Sequence, residues 1–300
     1  MNVYLETNLW NALCDHPVDA DTLVGSLGAR AITLDFSDHC VTEMAETFRG
    51  YGTAADRGRQ LFSCLSRFVD AGAGCTKQNM ELIPAELTAL TSKTEVEPFL
   101  SANEHAQLKA DMDKLASGIF DEAANRLIDE RIEFARRTRE AQIRHLELRP
   151  EMKQELMAIS PDAFPAWLDE QVLSLDGQKI LAGQIMRIYP DAPPSDVFGY
   201  AGALLANPRF RFARGVVRAD LYYNWRCAHR GSNRPDLIDD MFHVLNATYC
   251  DVYVSKEKNQ LEYAGLLLSR ATRVEIYDGS PVDTWLERLA TNCVTETVPA

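Results

Sequence analysis

Residues that favour strands are confined to the two ends of this 300-residue chain, and that placement restricts its possible folds more than any other feature. β-Branched and aromatic clusters occur at Val3-Tyr4-Leu5, Ala31 to Phe36, Asp251 to Val254 and Arg273 to Tyr277. Between them, from about Tyr51 to Arg234, Ala, Leu, Glu, Gln and Arg recur at helical spacing, as in Leu108, Met112, Leu115 and Ile119. Strands that alternate with helices near each end imply βαβ units and a parallel sheet. The expected fold is therefore α/β. Residues 1–50 and 235–300 together build a parallel sheet covered by helices, and residues 51–234 form an all-helical insertion.

Local signals set the expected boundaries. Val3-Leu5 precedes Thr7-Asn8, read as a turn, and a helix carrying Leu9, Trp10 and Leu13. Ser37 or Asp38 caps a helix through Arg49, because a short polar side chain there accepts a hydrogen bond from the first helical turn. Pro235 and Pro281 sit where proline suits a first helical turn, opening helices to about Ala247 and Leu289. A further helix spans Gln260 to Ser269. Pro150, Pro161, Pro165, Pro190 and Pro193-Pro194 divide the central region, and Gly72-Ala73-Gly74 separates an early helix pair.

Composition narrows the class of function. Apolar residues make up 46% and charged residues 25%, the balance of a chain with a real core rather than a disordered one. The net charge of −13 argues against coating a polyanion by bulk attraction, so contact with nucleic acid requires a local patch or a metal. The opening residues lack a basic segment and no apolar run approaches the roughly 18 residues a membrane helix needs, so a cytoplasmic protein without membrane contact is expected. Seven cysteines, scattered and without a Cys-x-x-Cys pair, read as reduced thiols rather than a disulfide or zinc framework. Gly-x-Ser-x-Gly, P-loop, Gly-x-Gly-x-x-Gly and His-Glu-x-x-His patterns are absent, which leaves acyl hydrolase, P-loop, Rossmann and zincin readings without support.

The acids fall where a parallel sheet places ligands. Glu6 follows the first strand at its carboxyl end, Glu43 lies on the helix after the second, and Asp239 and Asp240 lie early in the helix opened by Pro235. Asp251 and Glu257 bracket the next strand, with Ser255 at its carboxyl end. Converging carboxylates repel one another unless a divalent cation neutralises them, and oxygen-only ligation suits Mg²⁺ or Mn²⁺. Such sites commonly serve metal-assisted phosphodiester hydrolysis. Ordinary surface acids and helix caps account for the same residues without any site.

These segments resemble the PIN-domain ribonucleases. Val3-Tyr4-Leu5-Glu6-Thr7-Asn8 is similar to that family's opening hydrophobic strand followed by Asp-Thr-Asn. Asp240 and His243, three apart, and the run Tyr249-Cys250-Asp251 to Ser255-Lys256-Glu257 resemble its later motifs, and Glu43 resembles its helical glutamate. The resemblance implies a three-layer α/β/α PIN-like domain and a metal-dependent endoribonuclease. It makes Glu6, Glu43, Asp240 and Glu257 the catalytic metal ligands for Mg²⁺ or Mn²⁺. Asn8 would orient the first acid, Ser255 would stand where a threonine contacts the site, and Asp251 would sit further away, while His243, on one helix face with Asp240, would take either a helix-orienting hydrogen bond or a metal or acid-base role. Glu6 and Glu257 replace aspartates of the pattern, and Lys256 places a positive charge where an acid is common. A catalytically degenerate scaffold that binds nucleic acid or protein is therefore the second expectation.

A local basic segment supports nucleic acid, RNA above all, as the expected partner. Arg209, Arg211, Arg214, Arg218, Arg226, Arg230 and Arg234 face one acid, Asp220, and alternate with Phe210, Phe212, Tyr222, Tyr223 and Trp225. Arginine with aromatics is the composition that grips phosphates and stacks on unpaired bases, although a core helix with an ion-paired face has the same composition. A second arginine-rich stretch, Arg126 to Arg149, is offset by acids and reads as a salt-bridged surface. The insertion offers a surface for a protein partner.

Overall fold

Five strands pair in parallel in the order β3-β2-β1-β4-β5, so β1, the start of the chain, lies at the centre of the sheet. The computed structural model describes residues 1–16, 18–49, 54–119, 125, 129, 150–230 and 237–296. In chain order these form β1 (Asn2–Leu5), α1 (Thr7–Asp15), α2 (Ala20–Gly28), β2 (Thr33–Ser37), α3 (Asp38–Glu46), α4 (Ala54–Ala71) and β3 (Gly74–Thr76). There follow α5 (Asn79–Ser92), α6 (Ala102–Ala116), α7 (Pro150–Met157), α8 (Phe164–Val172), α9 (Leu175–Ile188), α10 (Val197–Ala206) and α11 (Arg211–Arg230). The chain then returns to the sheet through α12 (Leu237–Asn246), β4 (Val252–Ser255), α13 (Lys258–Leu267), β5 (Arg273–Ile276) and α14 (Val282–Glu296).

The strand order fixes the layers. From β1 the chain steps to β2 and β3 in one direction, then crosses back over β1 to β4 and β5. Right-handed crossovers therefore place α1, α2 and α4 on one face and α13 on the other. Consistently, α4 packs on α1 and α2, α14 joins them, and α11, α12 and α13 pack together. Both faces are covered, which is why Val3, Tyr4 and Leu5 are all fully buried and the strand reads as a continuous apolar run. The arrangement is a three-layer α/β/α fold.

Most expected elements are present, with three corrections. Thr7-Asn8 is the start of α1 rather than a turn, because the Glu6 carbonyl already accepts the Leu9 amide at 2.9 Å. The region 51–234 is not all helical: Gly74-Cys75-Thr76 is the edge strand β3, paired with β2, and α4 packs on the sheet's own helices. Three residues behind a Gly-Ala-Gly run carry too little pattern to separate a strand from a turn. The boundary expected at residue 51 therefore cuts through the sheet unit. Finally, Cys14 of α1 and Cys64 of α4 form a disulfide, contrary to the expectation of reduced thiols throughout. They lie 50 residues apart in no motif, so only the packing of the two helices pairs them. Cys40, Cys75, Cys227 and Cys250 are buried and outside any disulfide, as small apolar side chains often are. Pro235, Arg234 and all of the Arg126–Arg149 stretch but residue 129 lie outside the described residues.

Candidate active site at the carboxyl edge of the sheet

In a doubly wound sheet, a crevice opens where crossovers leave a pair of neighbouring strands in opposite directions. Here that pair is β1 and β4. Glu6 leaves the end of β1, its amide still bonded to the Val254 carbonyl at 3.3 Å, and Ser255 ends β4.

Three of the expected acids meet at this point. Ser255 Oγ donates to Glu6 Oε2 at 2.7 Å, and Asn8 Nδ2 donates to Glu6 Oε1 at 2.6 Å. The Asn8 amide also reaches Glu257 Oε1 at 3.3 Å, and Gln260 Nε2 donates to Asp240 Oδ1 at 3.0 Å and lies 3.5 Å from Glu6 Oε1. The Tyr253 hydroxyl fixes that amide's orientation by donating to Gln260 Oε1 at 2.8 Å. Glu6 is 3% exposed, whereas Glu257 and Lys256 lie on the open side. Burial raises the Glu6 pKa; the His243 charge and the Ser255 hydroxyl pull it down, while Glu257 and Glu43 push it up. The other three expected acids therefore lie near Glu6: Glu257 and Glu43 act on its charge, and Asp240 shares Gln260 with it.

Glu43 has a different environment. His243 Nε2 lies 2.9 Å from Glu43 Oε2, and His39 Nε2 lies 3.7 Å from Glu43 Oε1, one turn away on α3. On its other side, His243 Nδ1 lies 2.9 Å from the Tyr4 hydroxyl, which lies 2.7 Å from Ser37 Oγ. Thr7 Oγ1 stands 3.3 Å from His243 Nε2. Burial disfavours charge on both partners, yet their mutual attraction prevails: Glu43 is held at about 2 and His243 well above the ordinary imidazole range. The pair joins a buried imidazole to a partly exposed carboxylate.

Sequence reasoning located Glu6, Asn8, Asp240, Ser255 and Glu257 in one place, and Glu43 with His243 beside them. It missed His39, Gln260, Tyr4 and Tyr253. The spacing of His39 and Glu43, four apart on one helix face, was a legible signal. Gln260 carried none, since an amide on a helix matches no motif. Asp251 is at the opposite, amino end of the sheet, where Oδ2 accepts the Asn2 amide at 2.7 Å and holds β1 in register.

The arginine segment serves the fold. Phe210, Phe212, Tyr222 and Tyr223 are buried, so their faces are not open to bases, which corrects the stacking expected of them. Trp225 packs on Phe164 with ring centroids 4.3 Å apart. Arg209 donates to the Ala89 carbonyl at 2.9 Å, Arg218 to the Leu266 carbonyl at 2.8 Å and to Asp169, and buried Arg226 to the Tyr222 hydroxyl at 2.8 Å. Arg211 lies over the Tyr249 ring, and Arg214 is half-buried beside Arg218. The Arg230 side chain and Arg234 lie outside the described residues.

Known protein families, curated proteins and solved structures yield no match to this chain. The site must therefore be read from its own chemistry. Among the described residues no helix is long and apolar enough to cross a membrane.

Proposed function

We propose that the chain is a PIN-like, divalent-metal-dependent endoribonuclease whose cation is held by Glu6, Asp240 and Glu257, with Glu43 as the neighbouring fourth acid. The observation that carries this reading is the meeting of three carboxylates from three separate elements at the point where the sheet's connections reverse. The donor set fits the ion: hard oxygens from carboxylates, with a buried Glu6 that two other acids disfavour as an anion, is what Mg²⁺ or Mn²⁺ stabilises. Bound there, such an ion would supply a water of lowered pKa and neutralise the charge that develops on a phosphodiester under in-line attack. Asn8 and Ser255 hold the Glu6 carboxylate in one orientation, and Gln260 ties Asp240 to it. Lys256, exposed just after β4, would supply a positive charge for a backbone phosphate.

The test is cleavage of RNA in Mg²⁺ or Mn²⁺ by wild type beside Asp240→Asn and Glu6→Gln. Each variant should lose at least about 100-fold in rate, the scale of removing one preorganised electrostatic group. Undiminished cleavage in both would overturn the site.

Two features favour a second reading, a degenerate scaffold that binds without cutting. Gln260 bridges Glu6 and Asp240, and Glu43 is neutralised by His243. That reading expects no cleavage and no rise in melting temperature with Mg²⁺. A ligand at 100 times its Kd stabilises by about 2.7 kcal/mol, so a Mg²⁺-dependent shift separates the two.

A further inference from the structure

Among the described residues, the cluster that mixes two histidines with a carboxylate lies beside, not within, the oxygen-only set. His39, Glu43 and His243 each present a ligand atom, and the three atoms lie within 4.8 Å of one another among the described residues. Donor atoms around one zinc-sized ion stand about 3 to 3.5 Å apart, given bonds of about 2.0–2.1 Å. His39 and Glu43 share a face of α3 at the i, i+4 spacing, and His243 faces them from α12.

His243 is oriented as a metal-binding imidazole is. Its Nδ1 meets the Tyr4 hydroxyl inside the core, a contact that leaves Nε2 directed at Glu43. A bare nitrogen lone pair 2.9 Å from a carboxylate oxygen is repulsive, so an electron-pair acceptor must lie between or beside them. A proton fulfils that demand, and so does a metal ion. An outer hydrogen bond that fixes the ring and its tautomer is the usual support of a ligating histidine. The Ser37–Tyr4–His243 chain supplies it from β2 and β1.

We propose that His39, Glu43 and His243 form a site for a divalent transition ion of the Zn²⁺ type, with positions left for water because only three protein ligands are present. Two imidazoles and one carboxylate favour Zn²⁺ or Co²⁺ over Mg²⁺, since nitrogen donors bind the later first-row ions more tightly. The site shares Glu43 with the reading above, yet its existence does not depend on RNA cleavage. It would add a second, softer metal position next to Glu6, which feels the His243 charge.

Full-length protein stripped by chelation is titrated with Zn²⁺ by calorimetry, and with Co²⁺ by its visible absorption. Wild type should bind at least one ion per chain and show the d–d bands of a nitrogen-containing site. His39→Ala should weaken Zn²⁺ binding at least 10-fold and remove those bands, while Glu6→Gln and Asp240→Asn should retain both. Tyr4→Phe, which leaves the ligands in place, should weaken binding within the roughly 10–100-fold range typical of outer-shell losses. Circular dichroism checks that each variant is folded, and His39→Gln provides a second substitution if His39→Ala is not. Failure of wild type to bind Zn²⁺, or binding that His39→Ala leaves unchanged, overturns the proposal and assigns the position to a proton alone. RNA cleavage in Mg²⁺ by the same preparations reports separately on the nuclease reading.

Discussion

Asp35 is a carboxyl group placed in the middle of a sheet. It is 1% exposed, its Oδ2 is buried without a hydrogen-bond partner, and its neighbour across β3 is Gly74. Burial lifts its pKa to about 8, with the amino terminus opposing and Asp251 adding to the rise. A group that keeps its proton in the folded state while the unfolded chain releases it costs stability as pH rises. Between about pH 4 and pH 8 its contribution therefore falls, and above 8 it is flat. Asp35→Asn removes the ionisation, so the melting temperature of this variant relative to wild type should climb from pH 5 to pH 8; a difference that does not change with pH would refute this account. Gly74 is required for a separate reason: a Cβ there would stand 2.2 Å from Asp35 Oδ1. Gly74→Ala should destabilise by about 1–3 kcal/mol, the range for overpacking, and Asp35→Ala in the same chain should recover part of the loss, measurable in denaturant melts.

At the scale of elements, α11 depends on a cap from a different helix. The Glu86 carboxylate of α5, fully buried, accepts the Phe212 and Ala213 amides at 2.7 and 2.9 Å, and the Tyr249 hydroxyl donates to it. These amides belong to the first turn of α11, where no intrahelical acceptor exists. Burial raises the Glu86 pKa to about 7, moderated by the three donors. The sequence shows only a glutamate within an acidic stretch; the interaction spans 126 residues and has no local signature. Glu86→Ala leaves two buried amides without partners, at about 1–3 kcal/mol each, and should expose residues 211–214 to faster hydrogen exchange. Glu86→Gln, which keeps one acceptor, should cost less than Glu86→Ala. Equal losses in the two variants would mean that the cap contributes nothing beyond volume.

The whole molecule is closed from both ends of the chain. β1 lies between β2 and β4, and 246 residues separate the end of β1 from the start of β4, so the central pairing is established only after a long return. The Cys14–Cys64 disulfide bears on the same problem by tying α1 to α4 across a 50-residue separation. A loop of this size gives about 4 kcal/mol in the chain-entropy account, and disulfides typically deliver about 2–4 kcal/mol. Cys14→Ser should lower the denaturation midpoint by a corresponding amount under oxidising conditions and change nothing under strong reductant; an equal effect in both would place the cost in packing rather than in the cross-link.

What the sequence determined by itself was the class of the fold and the edge on which its acids gather. Strand periodicity at the two ends, capping at Ser37 and the position of Glu6 directly after β1 are local patterns, and local patterns are set by neighbouring residues. Tertiary structure decided the rest. It made a strand of Gly74-Cys75-Thr76, because three residues carry no periodicity until β2 offers a ladder. It turned the arginine-aromatic segment into a core helix, because the same composition suits a base-stacking surface or a packed one and only burial distinguishes them. It paired Cys14 with Cys64, and it brought Gln260 and Tyr4 to the acids and His243 to the His39–Glu43 face of α3, since those contacts join residues between 20 and 254 positions apart through packing alone.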